Sequence, residues 1–436
     1  MKSLKLILSL ILFLCSKKNI AQEDTVNTIK LNELVITATK TEKLINNTTI
    51  PVISLSREEI SSTGYSNLSE IIAEQTGMTI MPTYSGGESV QLQGIESDYI
   101  LILIDGFPVT GRIAGDLDVS RISLYDVEKI EIIKGGSSSL YGSEAMAGVI
   151  NVITKKNEKD GLFPGIIYKY GSHNFHDLST KVYFSKKNTK IAGNANYISS
   201  DGYDLVDFDD TQTVQPFNRI SKAFYIENDL KKLGRTQVKI RSYIENKDET
   251  VFINEPGFNP KSKTNEYNIY LKYINKLQKK TSLFFEYYNT LFNNRESLLV
   301  NGSSQKYEFK QSISRYELRL NNKINNNLSI DLGIGINQEY VDRTNFDKKE
   351  NLSSEYLYLQ KDWIINKKTN IISGLRYDRH NEYKSQVSPK VSINKKIKEK
   401  LTLKASFGTG FKTPDFRHLY LNFSNINSGY VVLGTN

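Results

Sequence analysis

Leu401-Thr402-Leu403-Lys404-Ala405-Ser406-Phe407 sets an apolar side chain at every second position and a polar one between. Successive side chains of a strand point to opposite faces, so the stretch reads as a strand with one oily and one wet face. Ile191-Ala192-Gly193-Asn194-Ala195-Asn196-Tyr197 repeats the pattern, as does Lys181-Val182-Tyr183-Phe184. From about residue 164 onward little else occurs: alternating segments of roughly ten to sixteen residues, separated by polar breaks. A tilted strand crosses a bilayer in about 9–11 residues, a length these segments supply.

The breaks alternate too. Short polar turns fall at Lys186–Thr189, Leu233–Thr236, Lys276–Thr281, Ile324–Leu328, Ile365–Thr369 and Ile397–Lys400. Longer connections lie between them, at Ser200–Asn218, Lys247–Lys263, Asn293–Lys306 and Asp342–Ser353, with a briefer one near Asn381–Lys384. Short turns on one rim and long loops on the other mark an antiparallel transmembrane β-barrel of the outer-membrane kind. The pattern predicts about thirteen strands, the last ending at Phe411. A soluble sandwich or propeller is the alternative, but its strands and turns would be uniformly short.

Residues 1–21 carry Lys2 and Lys5 before the apolar run Leu6–Leu14 and end in Ile20-Ala21, the layout of a secretory signal peptide. The chain's one cysteine, Cys15, lies inside it, so cleavage near Ala21 leaves no thiol or disulfide chemistry. Setting aside Lys2, Lys5, Lys17 and Lys18 lowers the net charge from +9 to +5. The other lysines sit in turns such as Lys186-Lys187 and Lys367-Lys368, not on one face, which excludes a nucleic-acid partner. Tyrosine outnumbers tryptophan 26 to one, in keeping with strands at a membrane–water interface.

Between leader and strands, residues 45–157 read as a small α+β domain. Ser56-Arg57-Glu58-Glu59 is a capping-box helix start, and Asn67-Leu68-Ser69-Glu70-Ile71-Ile72 opens a second helix. Strands are predicted at Met78–Met81, Ser89–Gln93, Tyr99–Ile104 and Val127–Ile133, with a tight turn at Asp105-Gly106. Gly135–Gly142 is glycine-rich but lacks the Gly-Lys-Ser/Thr of a phosphate loop. No His-Glu-x-x-His, Gly-x-Ser-x-Gly or paired-cysteine motif occurs, so the chain is read as a non-enzyme with no catalytic residue, resident cofactor or metal.

Three segments carry a family resemblance. Asn32-Glu33-Leu34-Val35-Ile36-Thr37-Ala38-Thr39-Lys40 resembles the TonB box of TonB-dependent outer-membrane receptors; on its residues alone it reads equally as an ordinary first strand. Val90-Gln91-Leu92-Gln93-Gly94-Ile95 with Leu101–Val109 is similar to the plug-domain signature of apolar strand, Asp-Gly turn and proline. Val127–Gly142 and Ala147–Thr154 resemble the stretch in which Glu-x-Ile-x-x-Gly-Pro precedes Leu-Tyr-Gly and Gly-Val-Ile-Asn-x-Ile-Thr, with Gly136 in place of the proline. The resemblance implies a leader at 1–21, a periplasmic segment at 22–44, a plug at 45–157 and part of a barrel at 158–436. The family's barrels have 22 strands, so the array is C-terminally incomplete by that measure, and alone it would leave backbone groups unpaired in lipid.

The resemblance further implies that the plug occludes the barrel, that Glu33, Leu34, Val35, Ile36, Thr37 and Ala38 engage TonB of the inner-membrane energy-coupling complex, and that outer-membrane lipid surrounds the strands. Strand addition by such a segment needs exposed backbone hydrogen-bonding groups. Gly408-Thr409-Gly410-Phe411-Lys412-Thr413-Pro414 resembles a segment of the family's haem, siderophore and cobalamin receptors, and His418 follows it as a haem-ligand candidate. Tyr84, Ser85, Gly86, Gly111 and Arg112 fall at plausible outward turns of the plug. Arg112 suits either an anionic chelate or a barrel carboxylate. The cargo expected is a small-molecule iron chelate, siderophore or haem, with cobalamin as the alternative. A signal-transducing receptor would place a further domain before the box, where about ten residues follow Ala21.

Overall fold

The structure, a computed structural model, describes residues 34–37, 39–83, 87–113, 115–156, 159–205, 213–248, 261–300, 303–344, 346, 348–398, 401–420, 423–425 and 430–432. The expected leader and the candidates Glu33, Ala38, Tyr84, Ser85 and Gly86 lie outside the described residues.

Strand β1 (Leu34–Val35) pairs with β2 (Lys43–Leu44), and β3 (Val52–Ser56) runs into helix α1 (Arg57–Thr63). Ser56 closes the capping box: its Oγ accepts from the Glu59 amide at 3.3 Å while the Glu59 carboxylate accepts from the Ser56 amide at 2.7 Å. Asn67 and Glu70 do the same for α2 (Leu68–Ala73). β4 (Met78–Pro82) and β5 (Glu88–Leu92) form a hairpin. β6 (Ile100–Ile104), β7 (Phe107–Pro108), β8 (Val127–Lys134) and β9 (Gly148–Thr154) complete a five-stranded sheet with β3, in the order β3-β8-β9-β6-β7. Only β6 and β9 run parallel. The short helix α3 (Ser138–Tyr141) lies between β8 and β9.

Every residue of β6 is buried because its two faces enter two different clusters. Ile100, Ile102 and Ile104 pack with Ile72, Ile130 and Ile150 on one side, and Leu101 and Leu103 with Ile133 and Val149 on the other. Such double burial erases the period-two signal. That is why Gly148–Thr154, also the inner partner of two strands, shows no alternation and was not expected as a strand; β3, β7 and α3 were likewise missed. The turn after β6 needs positive φ at both positions, and Asp105 (φ 52°) and Gly106 (φ 87°) provide it.

Thirteen strands follow as one antiparallel meander: β10 (Gly161–Gly171), β11 (Phe175–Lys186), β12 (Thr189–Ser200), β13 (Phe217–Asp229), β14 (Arg235–Asp248), β15 (Lys261–Gln278), β16 (Thr281–Val300), β17 (Ser303–Asn325), β18 (Leu328–Arg343), β19 (Glu350–Asn366), β20 (Thr369–His380), β21 (Gln386–Lys398) and β22 (Leu401–Gly408). Each pairs with its sequence neighbours, and the sheet is not closed. Two expectations need correction. The last strand stops at Gly408 rather than Phe411. Asn293–Lys306 is not a long loop: β16 and β17 stay in register out to Val300 opposite Ser303. Asn293–Ser297 and Ser303–Lys306 are polar and Leu298-Leu299-Val300 is apolar without alternation, so the period-two signal fades while the ladder continues. Beyond β22 lie α4 (Phe416–Tyr420) and a hairpin of β23 (Phe423–Asn425) with β24 (Tyr430–Val432).

The burial of this sheet is inverted relative to a soluble protein. Leu357, Leu359 and Trp363 of β19 are exposed, whereas Tyr356, Tyr358 and Gln360 between them are buried. Lys239, Glu245, Glu317, Arg319 and Arg376 are buried on the same concave face. An apolar outer band with a polar interior suits strands that meet lipid outside. The plug packs against this polar face. Plug contacts run from Lys169 of β10, which donates to the Gly64 carbonyl at 2.9 Å, to Lys404 of β22, which donates to the Ile45 carbonyl at 3.2 Å.

Candidate functional site

The segment 34–40 is the first candidate, and the structure seats it inside. Val35 and Thr37 are fully buried, while Leu34 is exposed. Its backbone cannot pair with a strand at Ile36 and Thr37, so a carboxylate meets the need. The amides of Ile36 and Thr37 donate to Glu131 at 2.9 and 2.8 Å, and the Thr37 hydroxyl donates at 2.6 Å. Glu131 has no exposed surface and is neutralised by Lys129, 2.6 Å away, which also donates to the Leu34 carbonyl. Tyr141 donates to the Thr37 carbonyl at 2.9 Å and Asn151 to its hydroxyl at the same distance. Strand addition at Glu33–Ala38 presumes an offered backbone; here Leu34 and Val35 are already paired with β2, and the Ile36 and Thr37 amides and the Thr37 carbonyl with the plug.

A second carboxylate, from the barrel wall, holds the end of the segment. Lys40 donates to both oxygens of Glu317 at 3.0 Å. Glu317 also accepts from Arg315 at 2.9 Å, Tyr356 at 2.7 Å and Tyr358 at 3.0 Å. Burial pulls the Lys40 ammonium down to about 8 even though Glu317 opposes the shift. The tyrosines reach Glu317 because Gly333 and Gly335 leave room: a Cβ at either would come within 2.3 Å of Tyr358 or Tyr356. Glu131 and Glu317 were not singled out from sequence. The usable signal for Glu131 was a carboxylate inside Ile130-Glu131-Ile132-Ile133, where an unpaired charge would be costly.

Further ion pairs pin the plug to the wall. Asp105 pairs with Lys239 and accepts from the Thr154 amide at 2.9 Å. Burial alone would raise the Asp105 carboxyl; the Lys239 ammonium reverses this and holds it well below the usual carboxylate range. Asp118 faces Lys247 at 3.7 Å. Burial raises it, Lys247 and Arg219 overcome that, and the carboxyl settles at about 2 from an ordinary 3.8. A carboxyl depressed in the folded state stabilises above its unfolded pKa and loses that contribution as pH falls through the folded one. The plug is therefore expected to lose on the order of 2 kcal/mol from Asp118 between about pH 4 and pH 2. Urea midpoints measured across that window check it, and Asp118→Asn should flatten this part of the profile.

The loop-bearing rim holds the remaining candidates. The Gly111 amide donates to Gln311 at 2.9 Å, and its φ of 86° and the Phe292 ring beside it leave no space for a Cβ. Arg112 donates to the carbonyls of Ser97 at 3.0 Å and Ile100 at 2.7 Å, and its ion-pair partner is Glu144 of the plug at 3.7 Å, not a barrel carboxylate. His418 lies on α4 with its Nδ1 2.9 Å from Asp415 and more than half of its side chain exposed. Arg417, unnoticed in sequence, ties α4 to the plug through Asp98 at 3.0 Å. Arg112 and His418 thus share a rim, each beside a carboxylate of its own, Glu144 and Asp415.

Comparison with known proteins follows the same division. Residues 45–149 match the family model described as TonB-dependent Receptor Plug Domain, and residues 158–436 match TonB dependent receptor-like, beta-barrel. The chain belongs to the TonB-dependent receptor family. These receptors are outer-membrane β-barrels concerned with transport, and they work with TonB. The receptor is 26% identical to the vitamin B12 transporter BtuB of Vibrio cholerae serotype O1, covering 90% of this chain and 65% of that protein. It is 23% identical to BtuB of Photobacterium profundum, covering 89% and 63%. Among solved structures it resembles the siderophore receptor PirA of Acinetobacter baumannii (TM-score 0.73, 15% identity, 85% of this chain and 63% of that one). A ferric enterobactin receptor PfeA variant of Pseudomonas aeruginosa is similar too (TM-score 0.74, 17%, 85% and 64%). The receptor spans a little under two thirds of the length of these relatives. The structural likenesses bear on the fold alone.

Proposed function

We propose that the receptor takes up an iron chelate, a siderophore or haem, across the outer membrane, with Glu33–Ala38 as the segment that TonB grips. The observation that carries this reading is the double tether of residues 34–40, to plug through Glu131 and to wall through Glu317. A segment held at two points beside the turn-bearing rim can transmit a pull to both bodies it touches. The substrate half of the reading draws on the rim opposite, where Arg112, Arg417 and His418 sit. Cobalamin is the second reading, favoured by the BtuB relatives, which are vitamin B12 transporters.

Growth of a strain carrying the full gene, on ferric siderophore, haem or cobalamin as the limiting nutrient, separates the two. Iron-chelate rescue is expected, lost when residues 33–38 are deleted; rescue by cobalamin alone overturns the substrate assignment. Haemin titration refines it. A Soret shift that His418→Ala reduces at least tenfold in affinity supports haem, and a shift indifferent to that change removes His418 from the site.

A further inference from the structure

An antiparallel meander returns every second connection to the same rim, so lysines far apart in sequence meet along one edge of the sheet. Five of the six short turns carry at least two lysines within or beside them, from Lys186-Lys187 between β11 and β12 to Lys395-Lys396 before β22. The acids in those turns are Asp229 and Glu399. The opposite rim has no such excess. Ser200–Asn218 contains five aspartates and no lysine or arginine, and Lys247–Lys263 and Asp342–Ser353 each hold as many acids as bases.

The charge of the turn-bearing rim is not neutralised within the sheet. Lys190 pairs with Glu227 at 3.6 Å and Arg235 with Asp229 at 3.3 Å. Lys186, Lys187, Lys231, Lys232, Lys367 and Lys368 are all exposed, and among the described residues none of the six has an ion pair within 4 Å. Apolar side chains stand exposed beside these charges: Leu233 after Lys231-Lys232, Leu277 after Lys276, and Ile364-Ile365 before Lys367-Lys368. Trp363, the chain's one tryptophan, is exposed on the outer face of β19 next to that last turn, with the Lys361 ammonium 4.7 Å from its ring centre. Tryptophan settles at the membrane–water boundary, and lysine lays its aliphatic stem on apolar surface while its ammonium reaches the headgroups.

We propose that the turn-bearing rim is a collar for anionic phospholipid: its lysine pairs engage the net-negative headgroups of the periplasmic leaflet in preference to zwitterionic ones, while the neighbouring aliphatic groups and Trp363 enter the acyl boundary. The charges recur turn after turn where the apolar outer band ends, which matches a continuous lipid surface. A lysine near an anionic leaflet gains about fivefold in relative affinity, so an adjacent pair gives at least that preference. The collar is independent of the transported substrate and of the role of residues 34–40.

Trp363 reports on the collar directly, because brominated lipid quenches a tryptophan that it touches. The receptor from the full gene is reconstituted in phosphatidylcholine vesicles holding equal fractions of either brominated phosphatidylglycerol or brominated phosphatidylcholine. Subtracting the signal of Trp363→Phe isolates this one side chain. Phosphatidylglycerol should be favoured at Trp363 by about fivefold or more, and Lys367→Gln with Lys368→Gln should cut the ratio by about threefold or more. Salt at about 1 M, where the Debye length is about 3 Å, should bring the ratio near one in the unsubstituted protein, free of any folding defect. Lys348→Gln with Lys349→Gln, on the opposite rim, should leave it unchanged. Equal quenching by the two lipids in the parent, or a preference indifferent to both salt and the Lys367-Lys368 pair, overturns the proposal. Retention on isolated peptidoglycan that the Lys367-Lys368 change abolishes, without any lipid preference, would assign the rim to the cell wall and overturn it as well.

Discussion

Replacing Glu131 by alanine is expected to free residues 34–37 from the plug. Three donors converge on this carboxylate, the amides of Ile36 and Thr37 and the Thr37 hydroxyl, and the site has no exposed surface. Hydrogen bonds to a charged acceptor contribute about 1.5–3 kcal/mol each, and donors left unmet in a buried site add a desolvation cost. Lys129 would lose its counter-charge as well. Taking about 3 kcal/mol as the combined effect, since such terms are not additive, the ratio of docked to undocked segment falls by roughly a hundredfold. Hydrogen exchange at the Ile36 and Thr37 amides measures this directly. Glu128→Ala, on the exposed side of the same strand, is the control and should leave both amides protected. Protection that survives in Glu131→Ala would mean that the remaining contacts, Tyr141 and Asn151 to Thr37 and Lys40 to Glu317, suffice to hold the segment.

The second large effect is expected at the plug–wall contact of Asp105 with Lys239. Removing one partner of a buried pair strands the other's charge, at a cost of about 3–5 kcal/mol, whereas replacing both with apolar groups costs less. Asp105→Ala leaves the Lys239 ammonium without its carboxylate and Thr154 without its acceptors. The plug should then unfold at markedly lower urea, read as protease sensitivity of residues 45–157 in intact membranes. Combining Asp105→Ala with Lys239→Met should recover part of the loss, giving a coupling above about 1 kcal/mol. Strict additivity of the two changes would show that the pair contributes nothing as a pair.

How much of this was legible in the sequence depended on where each residue points. Strands with one face towards lipid and one towards the interior announced themselves by period two, and thirteen of them stand where about thirteen were expected. Capping boxes at Ser56 and Asn67 were legible because they are local. β9 was not, because burial on both faces removes the alternation that marks a strand. Extended pairing between Asn293 and Lys306 was hidden because the polar run Asn293–Ser297 and the apolar run Leu298–Val300 each lack alternation. The candidate site divides in the same way. A distinctive run of residues 33–38 drew attention to the segment, but its holders are 94 and 277 positions away, from Thr37 to Glu131 and from Lys40 to Glu317. Arg112 was visible as a cation at a turn, yet only the fold shows its guanidinium directed at the Ser97 and Ile100 carbonyls.

On the proposed function, residues 34–40 are a coupling segment kept from TonB by the plug's own Glu131 carboxylate. Disulfide trapping against a cysteine-bearing periplasmic domain of TonB tests it most directly, with single cysteines at Leu34 and Ile36 and a control at Lys187 in a turn on the same rim. Trapping at Ile36 should be scarce in the parent, rise at least tenfold in Glu131→Ala, and stay at background at Lys187. Equal trapping at Lys187, or an Ile36 signal that Glu131→Ala does not move, would contradict the claim.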